Sequence, residues 1–391
     1  MTTSSPPSTL APKSFNEAKS VPVQSRSEFF SSEDHAAFAE VTGREAQWKL
    51  SPVAKLRELM DGELDGSSYP LESSTAEGFS VTWDTVENTP RGFAGVPEER
   101  HTANVWGQTQ QVLSLEIEGV HSVPLRCVRE GLGEGPRASH TVIRTMPGAH
   151  ATLVMVSRGI AHLGETVEFE LGEGSHLQVV FVGQWSPGAI NYATHFANIG
   201  ASAVFTHIVV NFGGDITVLN PTAHLVGERS EAHLNGAYFA DAAQHMEHRV
   251  YVEHVGPSTV SRVLYKGALH GRGARTVWVG DVLIGPDAKG TDSYEQNRNL
   301  VLSEGTRADS IPNLEIKTGD IKGAGHASAT GRFDDEQLFY LQSRGIEELE
   351  ARRLVVLGFL IEIVQKIDDP ELVAELTVAI QAKLTQTEDA Q

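Results

Sequence analysis

Cysteine is almost missing: Cys127 is the only one in 391 residues. That excludes an internal disulfide framework and any all-cysteine metal site within one chain. A metal or cluster held here would need histidine, carboxylate, or ligands from another subunit. Cys127 lies in the alternating run Val-Pro-Leu-Arg-Cys-Val-Arg, where a free cysteine reads as a small buried hydrophobe. Positive charge is also scarce, with 31 Lys and Arg against 51 Asp and Glu, a net charge of −20. Phosphate backbones and anionic bilayers repel such a chain, so neither nucleic acid nor membrane is expected as a partner. There is no apolar run of about 18 residues or more. The opening Met-Thr-Thr-Ser-Ser-Pro-Pro lacks the charged-then-apolar order of a signal peptide, which points to a cytoplasmic location. Catalytic signatures are missing too: no nucleophile elbow, Walker lysine, dinucleotide fingerprint after a strand, or His-Glu-x-x-His. Gly131-Leu-Gly-Glu-Gly135 is followed by no Lys-Ser/Thr and opens no helix, so it reads as a plain loop. An enzyme reading has no site to stand on.

What the chain does have is organised in four stretches. Residues 1–30, rich in Ser, Pro, Thr and Lys, cannot offset the entropy of ordering and are expected to form a disordered leader. Residues 31–140 form a helical and mixed N-terminal region. Within it, Ser51-Pro52 reads as N-cap and first helical position, and Leu56, Leu59 and Met60 share one helix face. Residues 141–332 carry recurrent short β-rich runs separated by Gly, Asn, Asp or Pro. Examples are Thr166–Leu171, Leu177–Val182, Ala203–Val210 and Val260–Tyr265, with a turn or two of helix conceivable at Asn191–Ala197. With no helical crossovers, a doubly wound parallel sheet is excluded, and a sandwich, a barrel or a solenoid of β-rungs remains.

Residues 333–391 read as helices. Asp334 or Asp335 can cap a short helix that Gly345 ends. A longer helix spans about Glu347 to Ile367, with Leu349, Leu354, Leu357, Leu360, Ile361 and Val364 on one stripe. Asp369-Pro370 opens a last helix through about Leu384. The long helix holds more apolar surface than one solvated side allows, so core packing should take part of it and a partner protein the rest.

Sixteen histidines invite metal readings. His245 and His248 are three apart and His254 follows, but on a strand such positions face opposite sides and cannot share an ion. His150, His162, His195, His207 and His224 have no ligand spacing. Glu336 and Asp335 are explained by capping rather than by acid–base pairing.

His326 has a different setting, with glycines before it and small residues after. The stretch Asp309–Gly345 around it resembles the C-terminal signature of the SufB/SufD family, scaffold components of the SUF iron–sulfur cluster assembly machinery. Thr291-Asp-Ser-Tyr-Glu-Gln-Asn-Arg-Asn-Leu-Val-Leu-Ser303 upstream and Glu350–Phe359 downstream support the resemblance. It implies a mainly β fold: a right-handed parallel β-helix core with helical N-terminal and C-terminal regions. It also implies a non-catalytic scaffold of the SufD-type branch, since the cysteines of the SufB branch have no counterpart. The implied partners are a SufB-like subunit at a sheet edge and a SufC-like ATPase on the C-terminal helices, with a homodimer possible in isolation. In the family, the motif Lys-Cys-x-His-Gly-Ala-Thr-x-Gly-Arg supplies a histidine at the subunit interface where the nascent cluster sits. His326 resembles that histidine and is the candidate iron or cluster ligand, with Asp320 or Glu315 as carboxylate companions. The iron–sulfur cluster would be transient and shared with the partner, and no cofactor would be held permanently. Here one residue more separates Lys322 from the histidine, and no cysteine is present. The rival readings are a β-helix carbohydrate-active enzyme, disfavoured by 7% aromatic content, and a homo-oligomeric structural protein.

Overall fold

The computed structural model describes residues 26, 29–332 and 335–389. The expected leader lies outside the described residues except for Arg26, Phe29 and Phe30, and Asp334 lies outside them too. The N-terminal region contains helix α1 (Val53–Asp61), strands β1 (Glu72–Ser73) and β2 (Phe79–Thr85), and helix α2 (Arg100–Gln108). A series of strands follows: β3 (Gln111–Ile117), β4 (Leu125–Glu130), β5 (Gly133–Thr145), β6 (His150–Gly159), β7 (Ala161–Leu171), β8 (His176–Trp185), β9 (Ile190–Ile199), β10 (Val204–Asn211), β11 (Ile216–Leu225), β12 (Glu231–Ala240), β13 (His245–His254), β14 (Val260–Leu269), β15 (Arg275–Ile284), β16 (Thr291–Val301), β17 (Arg307–Ile316) and β18 (Ile321–Gly331). Helices α3 (Asp335–Ser343), α4 (Glu348–Val364) and α5 (Pro370–Asp389) close the chain.

From β3 onward each strand pairs in parallel with the strand two places later, so the chain alternates between two sheets and advances one coil at a time. The order β17-β15-β13-β11-β9-β7-β5-β3-β2 makes the odd sheet, and β1-β4-β6-β8-β10-β12-β14-β16-β18 the even sheet. This is a parallel β-solenoid of about eight turns, which removes the sandwich and the barrel. Among the described residues, antiparallel pairing of strands is confined to β1 with β4 and β2 with β3, at the first coil. Coiling starts at Gln111, well before the residue 141 that the sequence suggests. Of the Gly131–Gly135 run that reads as a plain loop, Gly133 and Gly135 belong to β5, at a register shift between Gly133 and Pro136. Asn191–Ala197, a conceivable helical turn by sequence, is strand β9, held in register by β7 and β11 on its two sides.

Alternation at period two sends one side chain of each pair inward. Leu113, Leu115, Ile143, Leu153, Val167, Phe169, Leu177 and Val179 make a dry column through the early coils. Cys127 on β4 belongs to it, and burial pushes its thiol up to about 12, so it is an inert filler as expected.

The outer face of the odd sheet carries the N-terminal region. His101 of α2 stacks on Tyr192 of β9 at 3.6 Å. Arg249 of β13 is bound by Glu247 at 2.5 Å and Glu99 at 3.0 Å. Ser51 does not cap α1. Its hydroxyl donates to Glu247 at 3.0 Å, and Pro52 takes the cap position without a side-chain bond.

The outer face of the even sheet carries α4 and α5, whose Val356, Leu360, Ile363, Val364, Leu372 and Leu376 pack on Val154, Val180, Ile208 and Phe239. Asp369 caps α5 as expected, its carboxylate accepting from the amides of Glu371 and Leu372 at 3.1 Å each, and it pairs with Arg126 of β4 at 2.7 Å. Much of the apolar stripe of α4 is therefore spent on the sheet. Leu349 and Leu354, which the helical period sets with the buried residues, stay exposed instead, as do Phe339 and Tyr340 of α3.

Candidate functional site at the open end of the coil

Among the described residues the last coil has no successor. In the described residues β17 pairs only with β15 and β18 only with β16, so each leaves one rank of backbone N–H and C=O groups unmatched at the edge. His326 lies in the middle of β18, because Gly323 and Gly325 run straight through as strand. Its directly opposed residue on β16 is Glu295. The two side chains share the inward-pointing face, and with no described strand stacked above, the His326 ring is 41% exposed while the Glu295 side chain is 1% exposed. His326 Nδ1 stands 3.8 Å from Glu295 Oε1.

The extra residue between Lys322 and His326 has a structural outlet. The ladder passes from Thr291 opposite Ile321 to Asp292 opposite Gly323, so Lys322 is the bulged residue. A bulge absorbs the insertion at the strand start and keeps the rest of β18 in register, which leaves His326 inward-facing. The position two before the histidine, cysteine in the motif that the sequence resembles, is Ala324, packed against the interior core opposite Ser293.

Beneath His326 the interior becomes polar. Asn299 donates to Asn297 at 2.7 Å, Ser310 donates to the same Asn297 oxygen at 2.6 Å, Asn297 donates to the Tyr238 hydroxyl at 3.0 Å, and Tyr238 donates to Asn299 at 3.0 Å. Ser261 and Ser293 are linked at 2.8 Å. Glu295 stands apart from this closed network. Neither of its carboxylate oxygens has a hydrogen-bond partner among the described residues, and burial, helped by the nearby charge of Asp281, pushes its carboxyl up to about 8.

The remaining candidates are not gathered here. Glu315 pairs with Lys317 at 3.1 Å, and the Asp320 backbone carbonyl accepts from Gly290; among the described residues the carboxylate within ion-pair distance of His326 is Glu295. His245 bonds Glu247 at 2.9 Å on the outer face, while His248 is buried against Tyr238 and Tyr265, so the two do face opposite ways. His254 is held by Thr259 and Ser261 at 2.7 and 2.9 Å. His195 and His207 bond each other at 2.9 Å deep in the middle coils, where burial keeps both rings neutral. His224 pairs with Glu253 at 2.8 Å, His162 faces the Gly188 carbonyl at 3.2 Å, and His150 lies beside His176. Cys127 lies on β4, close to the opposite end of the even sheet from β18. Glu295 is the residue that sequence reasoning passes over. Its signal was present: Ser293, Glu295, Asn297 and Asn299 are polar at the inward positions of a strand, where a dry core wants aliphatic side chains.

A sequence profile described as the SUF system FeS cluster assembly SufBD core domain matches residues 130–359, which takes in most of the solenoid and its open end. The chain belongs to the SufB/SufD family. An iron–sulfur cluster assembly SufBD family protein of Mycobacterium tuberculosis is 42% identical over 376 residues, covering 94% of this chain and 95% of that protein. A SufBD family protein of Mycobacterium leprae is 40% identical, covering 95% and 97%. The iron–sulfur cluster assembly protein SufD of Escherichia coli is 28% identical over 242 residues, covering 61% of this chain and 56% of that one. Membership in this family ties the chain to iron–sulfur cluster assembly.

Proposed function

We propose that this SufB/SufD family chain is a non-catalytic scaffold subunit, whose unfinished last coil receives a SufB-like subunit and presents His326 to an iron–sulfur cluster in assembly. The observation that carries the reading is the coincidence of two features on one strand: β18 is an unpaired sheet edge, and His326 is its exposed, inward-facing imidazole. An edge of this kind extends a sheet across a subunit boundary by main-chain bonding, without a new side-chain surface. Neutral imidazole is a competent iron ligand, and with Ala324 in the cysteine position the sulfur ligands come from the partner. The cluster is cargo here, made and passed on.

The C-terminal helices are the docking surface for a SufC-like ATPase, and Phe339, Tyr340, Leu349 and Leu354 are the residues that support it. Phe339 is 72% exposed and Tyr340 56%. Truncation before Glu347 is a poor test, because α4 and α5 also cover the even sheet. Surface substitution is cleaner.

Co-expression with SufB-like and SufC-like partners, followed by native mass measurement and amide exchange, tests both contacts. Slowed exchange over residues 307–331 on SufB-like binding is expected, and loss of the ATPase from Phe339→Ala/Tyr340→Ala with SufB-like pairing retained. A complex that leaves 307–331 as labile as in the free chain would remove the edge-pairing reading.

A further inference from the structure

Buried carboxylates elsewhere in this chain have donors. Glu165 is gripped by Arg129 at 2.6 and 2.8 Å, Glu168 by His140 at 2.9 Å and by the Gly92 amide, and Glu247 by Arg249, His245 and Ser51. Glu295 is as deeply buried as these and accepts no hydrogen bond. Taking a carboxylate out of water without a donor is costly, and replacing it by an apolar residue would relieve the strain. The fold nevertheless makes room for it. Across the interior, a Cβ on Gly280 would run into the Trp278 ring and stand 2.5 Å from Glu295 Oε2, so glycine at that position leaves space for both side chains. The other Glu295 oxygen faces His326 Nδ1.

We propose that Glu295 and His326 together form a two-donor seat for a divalent first-row cation, ferrous iron as substrate, at the mouth of the last coil. This rests on the reading of His326 as the ligand that faces the cargo. One carboxylate oxygen and one imidazole nitrogen from neighbouring strands suit Fe2+ and its relatives and do not suit a soft, thiolate-seeking ion. Among the described residues no third His, Cys, Asp or Glu completes the set, so the outward coordination positions are left to water or to a partner chain arriving at the edge. A cation here also supplies the counter-charge that Glu295 lacks.

The test uses the purified full chain under anaerobic conditions with Fe2+ alone, read by equilibrium dialysis, and Co2+ as a spectroscopic probe of ligand type. One ion per chain is expected, with visible Co2+ bands that carry an imidazole and a carboxylate ligand. Glu295→Gln and His326→Ala should each weaken binding by about tenfold or more, the range seen when a positioned metal-site group is lost. Glu295→Gln, being isosteric, should at the same time melt no lower than the parent at pH 8, and Glu295→Ala repeats the comparison should the amide perturb folding. Unchanged binding in both Glu295 variants with loss in His326→Ala would overturn the two-donor seat and leave the His326 reading standing. Unchanged binding in all three would overturn both, and absence of any stoichiometric ion in the parent chain would overturn the seat.

Discussion

The early and the last coils of this solenoid share a backbone plan and differ in what fills them. Between β3 and β8 the interior is dominated by Leu, Ile, Val and Phe in tight contact, and its buried carboxylate, Glu165, is closed by Arg129. By β16 and β18 the inward positions hold Ser293, Glu295, Asn297, Asn299 and His326. The early coils are closed on both sides by neighbours and their first edge is met by the antiparallel strands β1 and β2. Among the described residues the last coil has no such cover. Stability therefore resides in the closed body, and the end where stacking stops is where an inward-facing side chain can meet something other than its own chain.

The sharpest way to break this contrast is a truncation at each end of it. Phe169→Ala in the closed body should cost about 3–5 kcal/mol, measured by urea unfolding, while His326→Ala should lie within about 0.5 kcal/mol of the parent. Equal costs would mean that the open end is as load-carrying as the middle. A comparable loss is expected where the N-terminal region is clamped to the odd sheet: Arg249→Met leaves Glu247 buried without its cation and should cost about 3–5 kcal/mol.

Titration separates the two regions by sign. In the body, burial depresses His101, His195 and His248 to about 3. Between about 3 and the ordinary 6.5 the unfolded chain binds more protons than the folded one, so these rings cost stability as pH falls through that window. Glu295 works the other way. With its folded value raised to about 8, the folded chain holds the extra proton between about 4.5 and 8, and stability falls as pH rises. Thermal melts of Glu295→Gln should remove the loss that grows between about pH 4.5 and 8 and leave the histidine contribution unchanged; an unaltered profile across that window would show that Glu295 is solvated. The smallest effect expected is at Cys127. Its buried thiol should resist alkylation in the folded chain, and Cys127→Ala should leave cluster yield on the complex unchanged.

Sequence alone reads much of this. Thr166–Leu171, Leu177–Val182 and Val260–Tyr265 each fall inside an observed strand, and the Asp369 cap stands where its motif puts it. The solenoid itself is out of reach of periodicity, because a rung strand and a sandwich strand alternate alike, and it is the family signature around His326 that points to it. Local rules fail where distant partners decide. Ser51 is drawn from its cap by Glu247, and Asn191–Ala197 is made a strand by the ladders on both sides. Glu295 stood inside a recognised motif, but its isolation from any donor is a property of the packed interior, and its partner His326 lies on the next coil.

The central claim is that the unfinished coil is the working end of the scaffold. Iron and sulfide content of the anaerobically purified complex with SufB-like and SufC-like partners, compared between the parent and His326→Ala, tests it most directly. The account predicts an intact complex with its iron and sulfide largely lost; an intact complex that carries the parental load would contradict it.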